Sequence, residues 1–192
     1  MAQTNHLRII GGRWRSRRLY FPALQGLRPT PDRVRETLFN WLAPLINGAR
    51  CLDLFAGSGA LGIEALSRGA NEVVFVEQHP AAIRQLRENL AILGAREVQV
   101  VQTDALNWLQ ETATPFDIVL LDPPFNQNLL MPVCTALAQN GWLSSGARIY
   151  LEAERSLQYL ALPTNWEIIR ENSAGRISYG LCVSGIMNFM RE

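Results

Sequence analysis

The chain has 192 residues, of which 48% are hydrophobic, and a formal net charge of +1, so it can bury the core of one domain with a small appendage. No apolar run is long enough to cross a bilayer and the first six residues lack the pattern of a signal peptide, so we expect a cytoplasmic protein with no membrane partner. Three widely spaced cysteines in apolar surroundings, two histidines without ligand-spaced partners and the absence of lysine argue against disulfides, a metal site, triad catalysis and Schiff-base chemistry.

The first predicted element is an arginine-rich arm. Residues 1–35 carry a net charge of +7 and the remainder −6, an asymmetry that is typical of a nucleic-acid contact, although a solvated basic tail would also explain it. Arginine alternates with apolar residues from Leu7 to Phe21, which predicts a short hairpin with Gly11-Gly12 as its turn. Trp14 or Tyr20 could stack on a base or pack onto the domain. The arginines expected to contact RNA are Arg13, Arg15, Arg17, Arg18, Arg28 and Arg33.

A helix is predicted to follow the arm. Thr30 has the residue type of an N-cap, Pro31 suits the first turn and Asp32 is favoured there by the helix dipole. Apolar residues then recur at helical spacing until about Leu45 and predict a core-facing stripe. Arg35, like Arg28 and Arg33, is expected to lie off that stripe.

From Arg50 onward, strands and helices alternate. Strands are predicted near residues 50–55, 73–77, 98–101, 117–121 and 147–152, and helices near 59–68, 80–93, 105–111 and 129–140. This alternation predicts an α/β fold with a parallel sheet covered on both faces. Two β-rich runs, 166–170 and 177–183, then predict a closing antiparallel hairpin.

A glycine turn joins the first of these strands to its helix. Gly57, Gly59 and Gly62 satisfy the G-x-G-x-x-G fingerprint, so an NAD-dependent enzyme is one reading. Against it, the Asp53 carboxylate would lie near the bound pyrophosphate at a cost of roughly a few kcal/mol. S-adenosylmethionine (AdoMet) suits Asp53 better, because it carries an ammonium group, and its carboxylate can use the first amides of the helix.

Acidic residues follow the next two strands. Glu77 stands about twenty residues after the first glycine, where a carboxylate can accept both ribose hydroxyls of either cofactor. Asp104 could accept the exocyclic amine of adenine, or could cap the helix that begins at Ala105. The residues expected to bind the cofactor are Asp53, Phe55, Ala56, Gly57, Ser58, Gly59, Glu77, Gln78, Asp104 and Ala105.

The fourth strand of the domain ends in Asp122-Pro123-Pro124-Phe125. In a doubly wound sheet the first and fourth strands are neighbours, so Asp53 and Asp122 should face one cleft. An exocyclic amine could donate its two protons to Asp122 and to the Pro123 carbonyl, and its base could stack on Phe125. We therefore expect Asp122, Pro123 and Phe125 to be catalytic in an amine methylation that needs no metal.

These motifs resemble the RsmD family of class I AdoMet-dependent methyltransferases. The resemblance covers nearly the whole chain and rests on Arg8-Ile9-Ile10-Gly11-Gly12, Arg28-Pro29-Thr30, Arg33-Val34-Arg35-Glu36, the Asp53–Gly59 loop, Asp122-Pro123-Pro124-Phe125 and Ser178-Tyr179-Gly180. Ser16 departs from the family pattern, in which we expect glycine. Residues after Ser184 have no assigned role.

The resemblance implies a Rossmann-like, mainly parallel seven-stranded sheet and transfer of a methyl group from AdoMet to N2 of one guanine in 16S ribosomal RNA. It implies that residues 1–46 contact RNA and close over the site and that residues 47–192 form the methyltransferase domain. We expect ribosomal RNA in a small-subunit assembly intermediate as the substrate, and naked rRNA is the alternative that the sequence leaves open. We expect a monomer. The alternatives are a DNA adenine or cytosine amino-methyltransferase, an NAD-dependent oxidoreductase and a non-catalytic RNA-binding module.

Overall fold

The N-terminal arm is a β-ribbon that packs on the rest of the protein. A computed structural model of the chain describes residues 4–24, 29–125 and 127–185. Strands β1 (Thr4–Arg8) and β2 (Arg18–Pro22) pair antiparallel, as predicted. Gly11-Gly12 lies in the connection as predicted, but the connection is longer than a tight turn, because it spans residues 9–17 and contains a 3-10 helix at Gly12–Trp14. Gly12 has φ +74°, and a Cβ there would lie 1.8 Å from the Ser67 carbonyl oxygen, so this close approach requires glycine.

Helix α1 (Asp32–Leu42) is shorter than predicted at both ends. The N-cap position is occupied by Pro31 and has no side-chain cap, so the prediction that Thr30 caps the helix was wrong. The Thr30 hydroxyl instead donates to Asp122, 92 residues away. The placement of Arg35 off the apolar stripe was also wrong, since its side chain is only 1% exposed.

The main sheet has the predicted α/β organisation. Its parallel strands are β3 (Arg50–Asp53), β4 (Glu72–Glu77), β5 (Val98–Gln102), β6 (Phe116–Leu121) and β7 (Leu143–Ala153). Helices α2 (Ala60–Ser67), α3 (Pro80–Leu93), α4 (Ala105–Trp108) and α5 (Leu130–Gln139) connect them. Strands β8 (Trp166–Ala174) and β9 (Ile177–Ser184) form the predicted antiparallel hairpin. Within the described ranges the strand order is β5-β4-β3-β6-β7-β9-β8, so the first and fourth strands of the domain pair as expected.

Alternate residues of the central strands face opposite sides of the sheet. Cys51, Val73 and Phe75 belong to a core that also contains buried side chains of the arm, α1, α2 and α3. Leu52 and Val74 belong to a second core with α4 and α5. Because the arm and α1 share the first core with α2 and α3, they pack with the rest of the protein and have no separate core.

Two further expectations concern the three cysteines and the possibility of a membrane-spanning helix. Cys51, Cys134 and Cys182 are buried and free, as predicted, and burial raises the pKa of each thiol, that of Cys182 to about 12. In the ranges that the structure describes, no helix combines the length and apolarity needed to cross a membrane.

Candidate active site

The glycine turn between β3 and α2 forms one side of the candidate site. Gly57 and Gly59 have φ +51° and +78°, the left-handed conformation that glycine adopts at little cost. The Gly59 amide donates to the Ala56 carbonyl at 2.6 Å, which closes the turn. Phe55 and Gly57 are partly exposed, whereas Ala56, Ser58 and Gly59 are buried. The third glycine of the fingerprint, Gly62, packs against β4, where a Cβ would lie 2.2 Å from the Phe75 ring.

Asp53 is buried beneath this turn. Its Oδ2 accepts the Gly62 amide of α2 at 2.9 Å, a bond between strand and helix that the sequence did not reveal. Burial raises the pKa of Asp53 to about 7; the bond from Gly62 opposes this change, and the nearby Asp122 and Glu77 carboxylates add to it. Asp53, Glu77 and Asp122 therefore lie close enough to interact electrostatically.

The donor set of this cleft fits AdoMet. Among the ion pairs of the described residues, none involves Asp53, Glu77 or Asp122. Three neighbouring carboxylates without a basic partner favour a cationic ligand, which would lower the cost of ionising them. AdoMet carries two such charges, a sulfonium and an ammonium. The pyrophosphate of NAD would instead add negative charge to this set.

Glu77 and Asp104 are both held by backbone amides. Glu77 Oε2 accepts the Gly57 amide at 2.9 Å and Oε1 accepts the His79 amide at 2.7 Å, so its carboxylate is fixed beside the glycine turn. Asp104 caps α4, because its Oδ1 accepts the amides of Leu106 and Asn107. That bond pattern matches the capping reading of Asp104 and leaves Oδ2 for a ligand. Gln78 is exposed next to Glu77, and Ala105 is buried at the start of α4.

The Asp122-Pro123-Pro124-Phe125 stretch lies at the carboxyl end of β6. Because Asp53 pairs with Leu120, the ends of β3 and β6 meet at the same edge of the sheet. Pro123 is buried, while Phe125 is 38% exposed and is therefore accessible for stacking on a base. Thr30 Oγ1 donates to Asp122 Oδ2 at 3.3 Å. Burial raises the pKa of Asp122 to about 6, and the bond from Thr30 opposes that change.

A further acidic residue at this edge was not among the sequence candidates. Glu152 lies near the end of β7, is 4% exposed, and accepts a hydrogen bond of 2.8 Å from the Tyr150 hydroxyl. Burial and the Asp122 carboxylate raise the pKa of Glu152 to about 8. An acid that ends a buried strand was the pattern that selected Glu77, and it could have identified Glu152.

The predicted RNA-contacting arginines lie on the surface. Arg13, Arg15, Arg17 and Arg18 are exposed on the arm, and Arg33 is exposed on the first turn of α1, whereas Arg28 lies outside the described residues. Trp14 is buried, so packing onto the domain accounts for this ring, and Tyr20 is 52% exposed. Ser16 has φ +68°, which explains why glycine would suit its position.

A buried ionic network fixes the arm to α2. The Glu64 carboxylate, 0% exposed, accepts the amides of Ile10 and Gly11 at 2.9 and 2.8 Å, and Arg68 Nε donates to it at 2.8 Å. Arg35 Nη1 lies 3.6 Å from Glu64 Oε2, and Arg35 Nε donates to the Thr30 carbonyl at 3.1 Å. This network thus joins the arm to α2, which follows the glycine turn, and to Thr30, which contacts Asp122. The described residues contain no cluster of metal-ligating side chains.

Comparison with known proteins gives close relatives. A family model described as Conserved hypothetical protein 95 matches residues 7–183. Ribosomal RNA small subunit methyltransferase D of Escherichia coli (strain K12) is 50% identical over 186 residues, which cover 94% of each chain. The protein of the same name from Haemophilus influenzae is 45% identical over 179 residues, covering 91% of this chain and 92% of that protein.

Solved structures confirm the Rossmann-like fold. The Escherichia coli protein yhhF has a TM-score of 0.86 and 49% sequence identity, covering 94% of this chain and 98% of that chain. The 16S rRNA N2 G1207 methyltransferase RsmC of Thermus thermophilus, solved in complex with AdoMet and guanosine, has a TM-score of 0.67 at 21% identity, covering 95% of this chain and 50% of that chain. The latter likeness concerns the fold alone.

Proposed function

This chain belongs to the RsmD family of ribosomal RNA methyltransferases, and from that premise we propose that it methylates the exocyclic amine N2 of a guanine in small-subunit ribosomal RNA. AdoMet is the cofactor, and it supplies a methyl group on a positively charged sulfur. The substrate is RNA in a small-subunit assembly intermediate, so the enzyme acts in the cytoplasm, and we expect it to act as a monomer.

The observation that carries this proposal is the meeting of Asp53 and Asp122 at the ends of paired strands, with the exposed Phe125 ring beside them. One side of the cleft suits a cation, and the other suits a planar base that carries an amine. An amine-methylating enzyme needs both sides within one cleft, because the nucleophile must be aligned with the methyl group.

The proposed chemistry at the amine depends on Asp122 and Pro123. The lone pair of a guanine N2 is delocalised into the ring, so the nitrogen is a weak nucleophile until it is oriented and its developing charge is accepted. We assign one N2 proton to the Asp122 carboxylate and the other to the Pro123 carbonyl. The N–C bond would form as the methyl–sulfur bond breaks and leaves its electron pair on a neutral sulfur, and Asp122 would take the proton that the nitrogen loses. A pKa of about 6 leaves Asp122 ionised near neutral pH and a stronger base than an ordinary aspartate.

Cofactor and RNA are assigned to different parts of the chain. Asp53 and the Phe55–Gly59 turn would hold the methionine end of AdoMet, Glu77 and Gln78 its ribose, and Asp104 and Ala105 its adenine. Residues 1–46 would contact RNA through the exposed arginines of the arm and α1. Their net positive charge, against a negative remainder, supports this assignment.

Product identification tests the function. The protein is incubated with methyl-labelled AdoMet and, separately, naked 16S rRNA, unmethylated small subunits and duplex DNA, and the labelled nucleoside is identified after digestion. The expected product is N2-methylguanosine, with more label in subunits than in naked RNA. Label in DNA alone would identify an amino-methyltransferase of a different substrate class.

Substitution of Asp122 tests the chemistry. Asp122→Ala should lower the single-turnover rate about 10²-fold or more, since one proton acceptor is removed, while the AdoMet Kd stays within a few fold. Glu111→Ala, a change of an exposed acid outside the cleft, is the control. Near-normal turnover by Asp122→Ala would remove Asp122 from the proposed mechanism.

A further inference from the structure

Glu152 lies beside Asp122 at the edge of the sheet where the proposed chemistry takes place. Strands β6 and β7 are parallel and pair Leu121 with Leu151. Asp122 and Glu152 are the residues that directly follow this pair, so they lie side by side. Glu152 is 4% exposed and accepts the Tyr150 hydroxyl at 2.8 Å. A buried acid that faces another acid has no evident role in packing, because removal from water penalises its charged form.

The hydroxyl of Thr30 lies between the two acids. It donates to Asp122 Oδ2 at 3.3 Å, and it also lowers the pKa of Glu152, so both carboxyl groups feel the same hydroxyl. A hydroxyl has a single proton, so it can donate fully to only one carboxylate at a time. The Thr30 main chain is itself fixed by the bond from Arg35 Nε to its carbonyl.

We propose that Glu152 is a positioning residue for methyl transfer: as a neutral acid it leaves the Thr30 hydroxyl to Asp122, so that a single oriented carboxylate faces the reacting amine. This inference rests on the proposed function, because it assigns Asp122 the role of proton acceptor. Glu152 acts only through Thr30 and Asp122 and makes no contact with the substrate.

The charges around Glu152 support a neutral acid at physiological pH. The titratable or charged groups that face it are Tyr150 on its own strand, Asp122 on β6, Tyr179 opposite it on β9, and Arg35 behind Thr30. Burial and the Asp122 carboxylate raise the pKa of Glu152 to about 8, whereas that of Asp122 is about 6. Two buried carboxyl groups this close share one proton over the neutral range, and we place that proton on Glu152, whose pKa the Asp122 carboxylate raises. As pH rises through 8, a second anion forms and competes for the Thr30 proton.

The pH dependence of single-turnover methyl transfer tests this arrangement. The wild-type rate should rise as Asp122 ionises near pH 6 and fall as Glu152 ionises near pH 8. Glu152→Gln keeps the shape and the acceptor for Tyr150 but cannot ionise, so its rate should rise near pH 6 and then stay level. The ratio of the rates at pH 9 and pH 7 should therefore be about 0.1 in the wild type and about 1 in this variant.

Glu154→Gln is the matched control, because Glu154 is exposed two residues further along the chain. Its pH profile should coincide with that of the wild type. A fall in rate above pH 8 that persists in Glu152→Gln would overturn the proposal. Thr30→Val gives an independent check: it should lower the rate at pH 7 and abolish the alkaline fall, and a wild-type profile in this variant would equally overturn it.

A titration of the free protein separates this inference from the proposed function. In ¹³C NMR of carboxyl-labelled protein, the Asp122 carbon should shift near pH 6 and again near pH 8, when its neighbour ionises. The second shift should be absent in Glu152→Gln. If the wild type methylates no RNA but shows these shifts, the proposed function fails while the coupling of Glu152 to Asp122 stands. A single shift in the wild type would refute the coupling whatever the substrate.

Discussion

The buried carboxylate of Glu64 should fix the N-terminal arm to the cofactor-binding domain, and Glu64→Gln tests this. Its four nearest polar partners are all donors, namely the amides of Ile10 and Gly11, Arg68 Nε and Arg35 Nη1. A glutamine removes the charge and turns an NH₂ group toward one or more of these donors. Arg35 and Glu64 are 1% and 0% exposed, so water cannot replace the lost interaction.

The size of the effect follows from these contacts. Removing one partner of a buried ion pair costs about 3–5 kcal/mol. The cost here is at the lower end, because Arg35 keeps its ion pair with Asp32. Two backbone amides that donate to a charged acceptor would each lose about 1 kcal/mol when the acceptor becomes neutral. We expect the free energy of unfolding to fall by about 3–5 kcal/mol in total, which for a chain of this length lowers Tm by roughly 6–20 °C.

Urea unfolding and amide hydrogen exchange measure this change. The control is Glu72→Gln, which alters a partly exposed pair in which Arg50 Nε lies 2.7 Å from Glu72 Oε2, and which should cost less than about 1 kcal/mol. In Glu64→Gln, the amides of Ile10 and Gly11 should exchange faster than in the control. Equal urea midpoints for the two variants would show that the buried carboxylate does not hold the arm.

Four further results are expected. AdoMet affinity should rise between about pH 6 and 8, with proton release seen by calorimetry in buffers of different ionisation heat, because a cation favours the ionised forms of Asp53 and Asp122; a pH-independent Kd would contradict this. The same raised pKa values mean that the folded chain binds more protons than the unfolded chain above pH 4, so the free protein should be less stable at pH 8 than at pH 6. Replacing Arg15, Arg17 and Arg18 by glutamine should reduce the salt dependence of RNA binding, log Kobs against log salt, by about 2, and an unchanged slope would count against the arm. Gly62→Ala should destabilise the protein by about 1–3 kcal/mol, since its Cβ would lie 2.2 Å from the buried Phe75 ring; a more stable variant would show that α2 can move away from β4.

The order of the sheet could be predicted because it depends on local patterns and one topological rule. Each apolar run of β3 to β6 is followed by a helical pattern, and right-handed crossovers bring the first and fourth strands together. That rule alone placed Asp53 and Asp122 at one edge, and the pairing of Asp53 with Leu120 agrees. Element ends were less accurate, since α1 stops at Leu42 and not near Leu45.

Thr30 shows why local reasoning failed for some polar residues. A threonine before Pro31 and Asp32 is a good N-cap by residue type, and no local feature distinguishes that role from a long-range one. The competing partner, Asp122, is 92 residues away and becomes available only when α1 packs beside the end of β6. For Asp104, by contrast, the local capping role was correct, since the amides of the following helix are its observed partners.

A stronger signal lay in charged residues that interrupt apolar patterns. Arg35 falls among Val34, Leu38 and Phe39 on the buried face of α1, and Glu64 lies in α2, all eight residues of which are buried. A lone charge in such a position is too costly to bury unless an opposite charge meets it. One arginine and one glutamate of this kind, on helices that share a core as α1 and α2 do, are therefore expected to form a buried ion pair. The same reasoning sets Glu152 apart: it interrupts the apolar end of β7, it belongs to none of the ion pairs of the described residues, and burial raises its pKa.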